Sequence, residues 1–183
     1  MAHTKNTENP LIGIIVGSAS DLKVAAKAAD VLKEFGVPFE VGVASAHRTP
    51  DDVMRYAAGA EARGIKAIVA MAGLSAALPG VMAAHTTLPV IGVPIASGPL
   101  NGQDALLAVA QMPPGVPVGS MGIDGAKNAA LMALRILATG DAALRDALAA
   151  YAQKAADDVR KSREKVVEAD LPPVPASAFG AGA

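Results

Sequence analysis

The chain has 183 residues, enough for one ordinary domain and too few for two. Apolar residues make up 52% of it and aromatics only 3%, so Ala, Val, Ile, Leu and Met carry the apolar share, and disorder is excluded for most of the length. Sixteen Lys and Arg against seventeen Asp and Glu give a formal charge of -1, which argues against a dedicated nucleic-acid binder or an anchor on an anionic membrane. The absence of cysteine removes disulfides, thiolate catalysis and Cys-based metal centres. The first ten residues are polar with no apolar signal core, and no apolar run reaches the ~20 residues of a membrane span. The expectation is a soluble cytoplasmic protein with a flexible N-terminus over residues 1–10.

In chain order, Leu11 to Val16 is a short β-branched run that stops at Gly17 and reads as a buried strand. The N-cap residue types Ser18, Ala19, Ser20 and Asp21 follow, then apolar residues at Leu22, Ala25, Ala26, Ala29, Val31 and Leu32, a helical spacing closed by Gly36. Phe39 to Ala44 reads as a second strand. Thr49 and Pro50 start a helix that Gly64 ends. Ile65 to Ala72 is almost uniformly apolar, as a strand covered on both faces should be. Ser75 to His85 reads as a helix with Pro79 in its first turn, Pro89 to Val93 as a fourth strand and Asp104 to Gln111 as a short helix. Val116 to Gly119 is a weaker fifth strand, because Pro117 lacks a ladder donor. Asp124 to Ala138 and Ala142 to about Val167 complete the helices; the charges from Lys154 to Lys165 read as a solvated face. From Leu171 the composition turns to Pro and small residues, an extended tail. The organisation read from this is one α/β domain over residues 11–168, including a C-terminal helix extension, and an extended or disordered tail over 169–183.

Repeated strand–helix alternation implies a parallel sheet with helices on both faces, and right-handed crossovers favour the flavodoxin-like doubly wound order. Ligands of such sheets sit beyond the carboxyl ends of the strands, which selects four loops. In the first, Gly17 to Asp21, free N–H groups at a helix start and two hydroxyls suit a phosphate, and Asp21 suits ribose hydroxyls; the same residues would also serve as plain helix caps. In the second, Ser45-Ala46-His47-Arg48-Thr49-Pro50, a proton carrier stands beside a planar cationic fork, although either could be an ordinary surface residue. The third, Ala72 to Gly80, has small residues that let a ligand approach the backbone or let a helix pack closely. The composition of the fourth, Ala96 to Gly102, does not decide between a lid and a turn cluster. His3, His47 and His85 lack metal-ligand spacing, and no Ser sits in a G-x-S-x-G elbow.

The segments Gly17-Ser18-Ala19-Ser20-Asp21 and Ser45-Ala46-His47-Arg48-Thr49-Pro50 resemble the N5-carboxyaminoimidazole ribonucleotide mutase family of purine biosynthesis, which also comprises the catalytic subunits of phosphoribosylaminoimidazole carboxylase. The similarity continues through Leu78-Pro79-Gly80, Leu100-Asn101-Gly102, the segment Gln111 to Val118 and Ala126-Lys127-Asn128, and so covers about residues 11–140. The resemblance implies a three-layer α/β/α subunit in a homo-octamer, a phosphoribosyl substrate, and neither cofactor nor metal. It implies substrate binding by Ser18, Asp21 and Arg48 with Ser20 near the phosphate, further contacts from Ser45, Ala46, Gly73, Ser75 and Leu78, and His47 as general acid/base. The implied reaction releases carbon dioxide from the exocyclic nitrogen and recaptures it at C4. One departure stands out. Mutases usually carry a second histidine in the third loop, where this chain has Ala77. Ser75 and Ala77 lean toward the relatives that carboxylate aminoimidazole ribonucleotide with free carbon dioxide, whereas Leu74 replaces their Arg. A reading of another class, a non-catalytic flavodoxin-like binding module, finds little in these loops: no aromatic for a flavin and only Asp21 as an acid.

Overall fold

The computed structural model describes residues 9–180. The expected flexible N-terminus falls outside them up to residue 8, as does the end of the expected tail beyond residue 180. The strands are β1 (Ile12–Val16), β2 (Phe39–Val43), β3 (Ala67–Gly73), β4 (Val90–Ile95) and β5 (Gly119–Ser120). The helices are α1 (Leu22–Glu34), α2 (Pro50–Ala60), α3 (Leu78–Ala84), α4 (Gln103–Ala110), α5 (Ala126–Leu137), α6 (Ala142–Lys161) and α7 (Glu164–Glu168). All strand pairs are parallel, in the order β2-β1-β3-β4-β5. This is the flavodoxin-like doubly wound sheet read from the sequence, and its order reverses between β1 and β3.

Burial explains why the central strands are so apolar. Every residue of β1 and β4, and all of β3 but its last, is buried, because helices cover both faces. On one face Ile15, Ile68, Ala70 and Ala72 join a core with Val53 and Ala57 of α2, Leu78 and Met82 of α3, and Ala105 and Val109 of α4. On the other, α1 and α5 lie side by side. Their buried positions are mostly alanine: Ala25, Ala28 and Ala29 in α1, and Ala126, Ala129, Ala130 and Ala133 in α5. Small side chains let the two helices approach each other and the sheet, which is how the chain fills a core with so few aromatics.

One aromatic sits at the sheet edge. The Tyr56 hydroxyl of α2 lies against the Cα of Gly13, where any side chain would collide with it. It donates to Glu40 Oε1 at 2.8 Å, and Arg63 donates to the same oxygen at 2.9 Å, with its guanidinium 4.7 Å from the Tyr56 ring centre. Burial, and then the Glu40 carboxylate, hold the phenol well above its ordinary range. The cluster fastens α2 to the edge strand β2.

Several boundaries differ from the sequence reading. The third helix begins at Leu78 rather than Ser75, because Leu74 and Ala76 take φ of 54° and 20° and the chain turns there, with Ala76 N–H donating to Gly73 O at 3.1 Å. The fourth strand runs on through Pro94 to Ile95. The missing donor of Pro94 faces the side of β5, which has already ended, so no ladder bond is lost. Pairing on the fifth strand falls at Gly119 and Ser120, past Pro117. The last long helix breaks at Ser162, whose hydroxyl donates to Val159 O at 2.6 Å, before α7 resumes.

The chain forms two compact units, one up to Leu144 and one from Arg145. In the second, no described residue is buried. Arg160 pairs with Asp157 at 2.7 Å, and the Arg163 guanidinium lies 3.9 Å from the Phe179 ring centre. Ala176–Phe179 forms a single 3-10 turn within the expected tail.

Candidate active site

The four loops that follow β1 to β4 meet at the carboxyl end of the sheet around a cleft of about 520 Å³. His47, Ser18, Ser20, Asp21, Ser45, Ala46, Arg48, Gly73, Ser75 and Leu78 all line it. No sequence-expected site residue lies elsewhere.

The β1–α1 loop builds one wall. Ser18 is its cap: the Oγ accepts from Ser20 N–H at 3.4 Å and lies within hydrogen-bonding distance of the Ser20 Oγ, at 3.0 Å. The capping role foreseen for these residues is therefore filled by Ser18. Asp21 makes no side-chain cap bond and among the described residues accepts only from Ser20 Oγ, at 3.1 Å, so its carboxylate lines the cleft with acceptor capacity to spare.

The β2–α2 loop is folded by its own side chains. Ser45 N–H donates to Thr49 Oγ1 at 2.9 Å, and Thr49 N–H donates to Ser45 O at 2.8 Å. Arg48 Nε donates to Ser45 Oγ at 3.4 Å and Arg48 Nη2 to Gly17 O at 3.1 Å, which ties this loop to the first. The rest of the guanidinium fork is available to an anion, and its position is already fixed. His47, on the same loop, is exposed, and its ring has no hydrogen-bond partner among the described residues. A ring held by the backbone and unclaimed by protein groups can give a proton to a bound ligand and take one from it.

The β3–α3 and β4–α4 loops form the opposite wall with Ala72, Gly73, Leu74, Ser75, Ala76, Ala77, Leu78 and Ser97. It is nearly devoid of charge. Ser97 went unnoticed in the sequence because nothing in the stretch Ala96 to Gly102 distinguishes it. The only signal was positional, its place two residues past the end of a buried strand. The Ser97 Oγ is buried and unpartnered, and any side chain at Gly73 would strike it. Among the described residues no group of three or more His, Asp or Glu is placed to hold a metal ion, and no helix is long and apolar enough to cross a membrane.

A cationic fork, an unclaimed imidazole and two serine hydroxyls at the switch point of a doubly wound sheet make a site of the class suited to an anionic small molecule and to proton transfer. Comparison with known proteins narrows the class. The AIR carboxylase family matches residues 11–158. The N5-carboxyaminoimidazole ribonucleotide mutase of Pyrococcus horikoshii is 52% identical over 165 residues, covering 90% of this chain and 92% of that protein. The phosphoribosylaminoimidazole carboxylase of Candida albicans is 54% identical over 134 residues, 73% of this chain but 24% of that much longer protein. A crystal structure of PurE from Treponema denticola superposes with a TM-score of 0.78 at 31% identity, covering 86% of this chain and 98% of that one. The chain belongs to the AIR carboxylase family.

Proposed function

We propose that this chain isomerises N5-carboxyaminoimidazole ribonucleotide to 4-carboxy-5-aminoimidazole ribonucleotide in purine biosynthesis. The observation that carries the reading is the convergence of all ten motif residues on one cleft, in a chain half identical to proteins bearing the mutase name. The phosphate sits at the Ser18–Ser20 turn, with Arg48 supplying charge, and Asp21 accepts from the ribose hydroxyls. Ser45, Ala46, Gly73, Ser75 and Leu78 enclose the imidazole and its carboxyl group.

The chemistry needs no external reactant. The N–C bond of the carbamate breaks as the exocyclic nitrogen takes a proton from His47, which frees carbon dioxide. C4 then attacks the carbon dioxide, forming the C–C bond, and the C4 proton returns to His47. One histidine thus gives and regains one proton, and the apolar wall from Ala72 to Leu78 keeps water from the intermediate. The enzyme works in the cytoplasm as a homo-octamer without cofactor or metal; the exposed apolar side chains of Leu100, Leu107 and Met132 support assembly with further copies. Light scattering of the purified chain at eight times the monomer mass tests that assembly.

The activity is tested by mixing the protein with the N5-carboxylated ribonucleotide and following product absorbance; a rate equal to the uncatalysed one rejects the proposal. A second reading, direct carboxylation of aminoimidazole ribonucleotide by carbon dioxide, draws on one observation: Ala77 stands in the cleft wall where mutases carry a histidine. Initial rates with the uncarboxylated ribonucleotide and high bicarbonate, set beside those with the N5-carboxylated one, separate the two.

A further inference from the structure

Among the described residues, Ser97 Oγ is the one buried side-chain oxygen or nitrogen without a hydrogen-bond partner. Buried hydroxyls are almost always paired, and an orphan in a cleft wall points to a partner that arrives with the ligand. Two features set where the residue stands in the unliganded chain. The parallel register sets Gly73 beside Ile95, so the absent side chain of Gly73 leaves the space that the Ser97 hydroxyl occupies. The backbone leading to Ser97 is clamped from the loop after β5: Asp124 N–H donates to Pro94 O at 2.9 Å, and Ala96 N–H donates to Asp124 Oδ1 at 3.0 Å. Asp124 adopts φ of 54° to make both bonds. A strained residue and a required glycine thus fix the backbone and the room of a hydroxyl that nothing in the protein uses.

The surroundings say what the hydroxyl is for. The wall it shares runs from Ala72 to Leu78, which carries no charge and only one other hydroxyl, that of Ser75. Phosphate and ribose have their partners on the opposite wall. What remains for the Ser97 side is the neutral one-carbon unit. Resting on the isomerase reading above, we infer that Ser97 is a positioning residue that donates a hydrogen bond to an oxygen of the released carbon dioxide and holds it against Gly73 until C4 captures it. A turn about the single side-chain torsion of serine swings the hydroxyl from the Gly73 backbone into the cleft.

The test is Ser97→Ala assayed in isotopically labelled bicarbonate with unlabelled N5-carboxylated ribonucleotide, beside the wild-type protein. Wild-type turnover establishes the isomerase reading independently of Ser97. If Ser97 retains carbon dioxide, the variant loses about tenfold in kcat with KM changed less than twofold. More of its product carries label from the medium, and free aminoimidazole ribonucleotide accumulates. Its unfolding temperature stays level or rises, because a hydroxyl without a protein partner contributes nothing to the unliganded fold. Ser97→Cys, which keeps one heavy atom beyond Cβ and donates weakly, moves the label in the same direction. Label incorporation at the wild-type level in either variant overturns the inference, whatever happens to the rate.

Discussion

The two walls of the cleft are built on opposite plans. The β1 and β2 loops are polar and internally bonded: Ser18 with Ser20, Ser45 with Thr49, and Arg48 with both Ser45 and Gly17. The β3 and β4 loops are apolar, hold Leu74 and Ala76 at positive φ and leave a buried hydroxyl unpaired. The proposed isomerisation accounts for the difference by what each wall would meet. A phosphate and a ribose are recognised by charges and hydroxyls that must be in place beforehand, and internal bonds hold those groups in place. Carbon dioxide has no charge and would be lost to water, so a wall that receives it needs close backbone approach and dryness more than affinity.

Substitutions can break this contrast at different strengths. His47→Asn, on the polar wall, should lower kcat by about 1,000-fold or more, since one ring serves both proton transfers in the proposed reaction, while ligand binding measured by calorimetry persists. Gly73→Ala attacks the other wall. The added methyl group meets the Ser97 hydroxyl, Ser97 Cβ at 3.2 Å and Ile95 O at 3.3 Å. Overpacking of this kind costs about 1–3 kcal/mol in thermal or urea unfolding, with a fall of about 30-fold in kcat/KM. Combining it with Ser97→Ala should restore part of the stability, because the two sites share one space. Arg48→Lys keeps the charge and loses the fork, so KM should rise by about tenfold with kcat nearly intact, which would show that this residue binds rather than reacts.

The smallest effect lies outside the cleft. Tyr56→Phe removes the bond to Glu40, which keeps Arg63, and should lower stability by about 1 kcal/mol without changing turnover. Its pH signature has a definite sign. The folded phenol keeps its proton after the unfolded one has released it near pH 10, so this part of the stability is complete below pH ~10 and is lost as pH rises beyond it. Urea unfolding from pH 9 to pH 11 should show that decline in the wild type and a shallower one in the phenylalanine variant.

The polar wall was readable from residues because its chemistry is written in uncommon side chains: His47 beside Arg48, and Ser18, Ser20 and Asp21 at a helix start. The central strands were readable because burial on both faces demands unbroken apolar runs. The apolar wall was harder. Ser75 to Ala77 carries helix-compatible residues, yet the turn after Gly73 claims them, and α3 waits until Leu78. Pro94 looked like the end of a strand because a proline's lost donor is costly only on a paired side, and pairing is a property of the assembled sheet. Ser97 was invisible for the same reason. Its significance comes from its closeness to Gly73 at the end of β3, which only the folded chain reveals.

The brevity of β5 has a consequence beyond the cleft. An outermost strand with a row of free amides invites another chain to add itself, and repeated addition ends in insoluble aggregates. Here the outermost pairing is two residues long, and Pro113, Pro114 and Pro117 precede it. On that flank a stray strand finds almost nothing to zip onto. The stretch that lets a loop reach back and clamp the backbone ahead of Ser97 also blunts the edge, and lengthening β5 by replacing Pro117 would endanger solubility before it touched turnover.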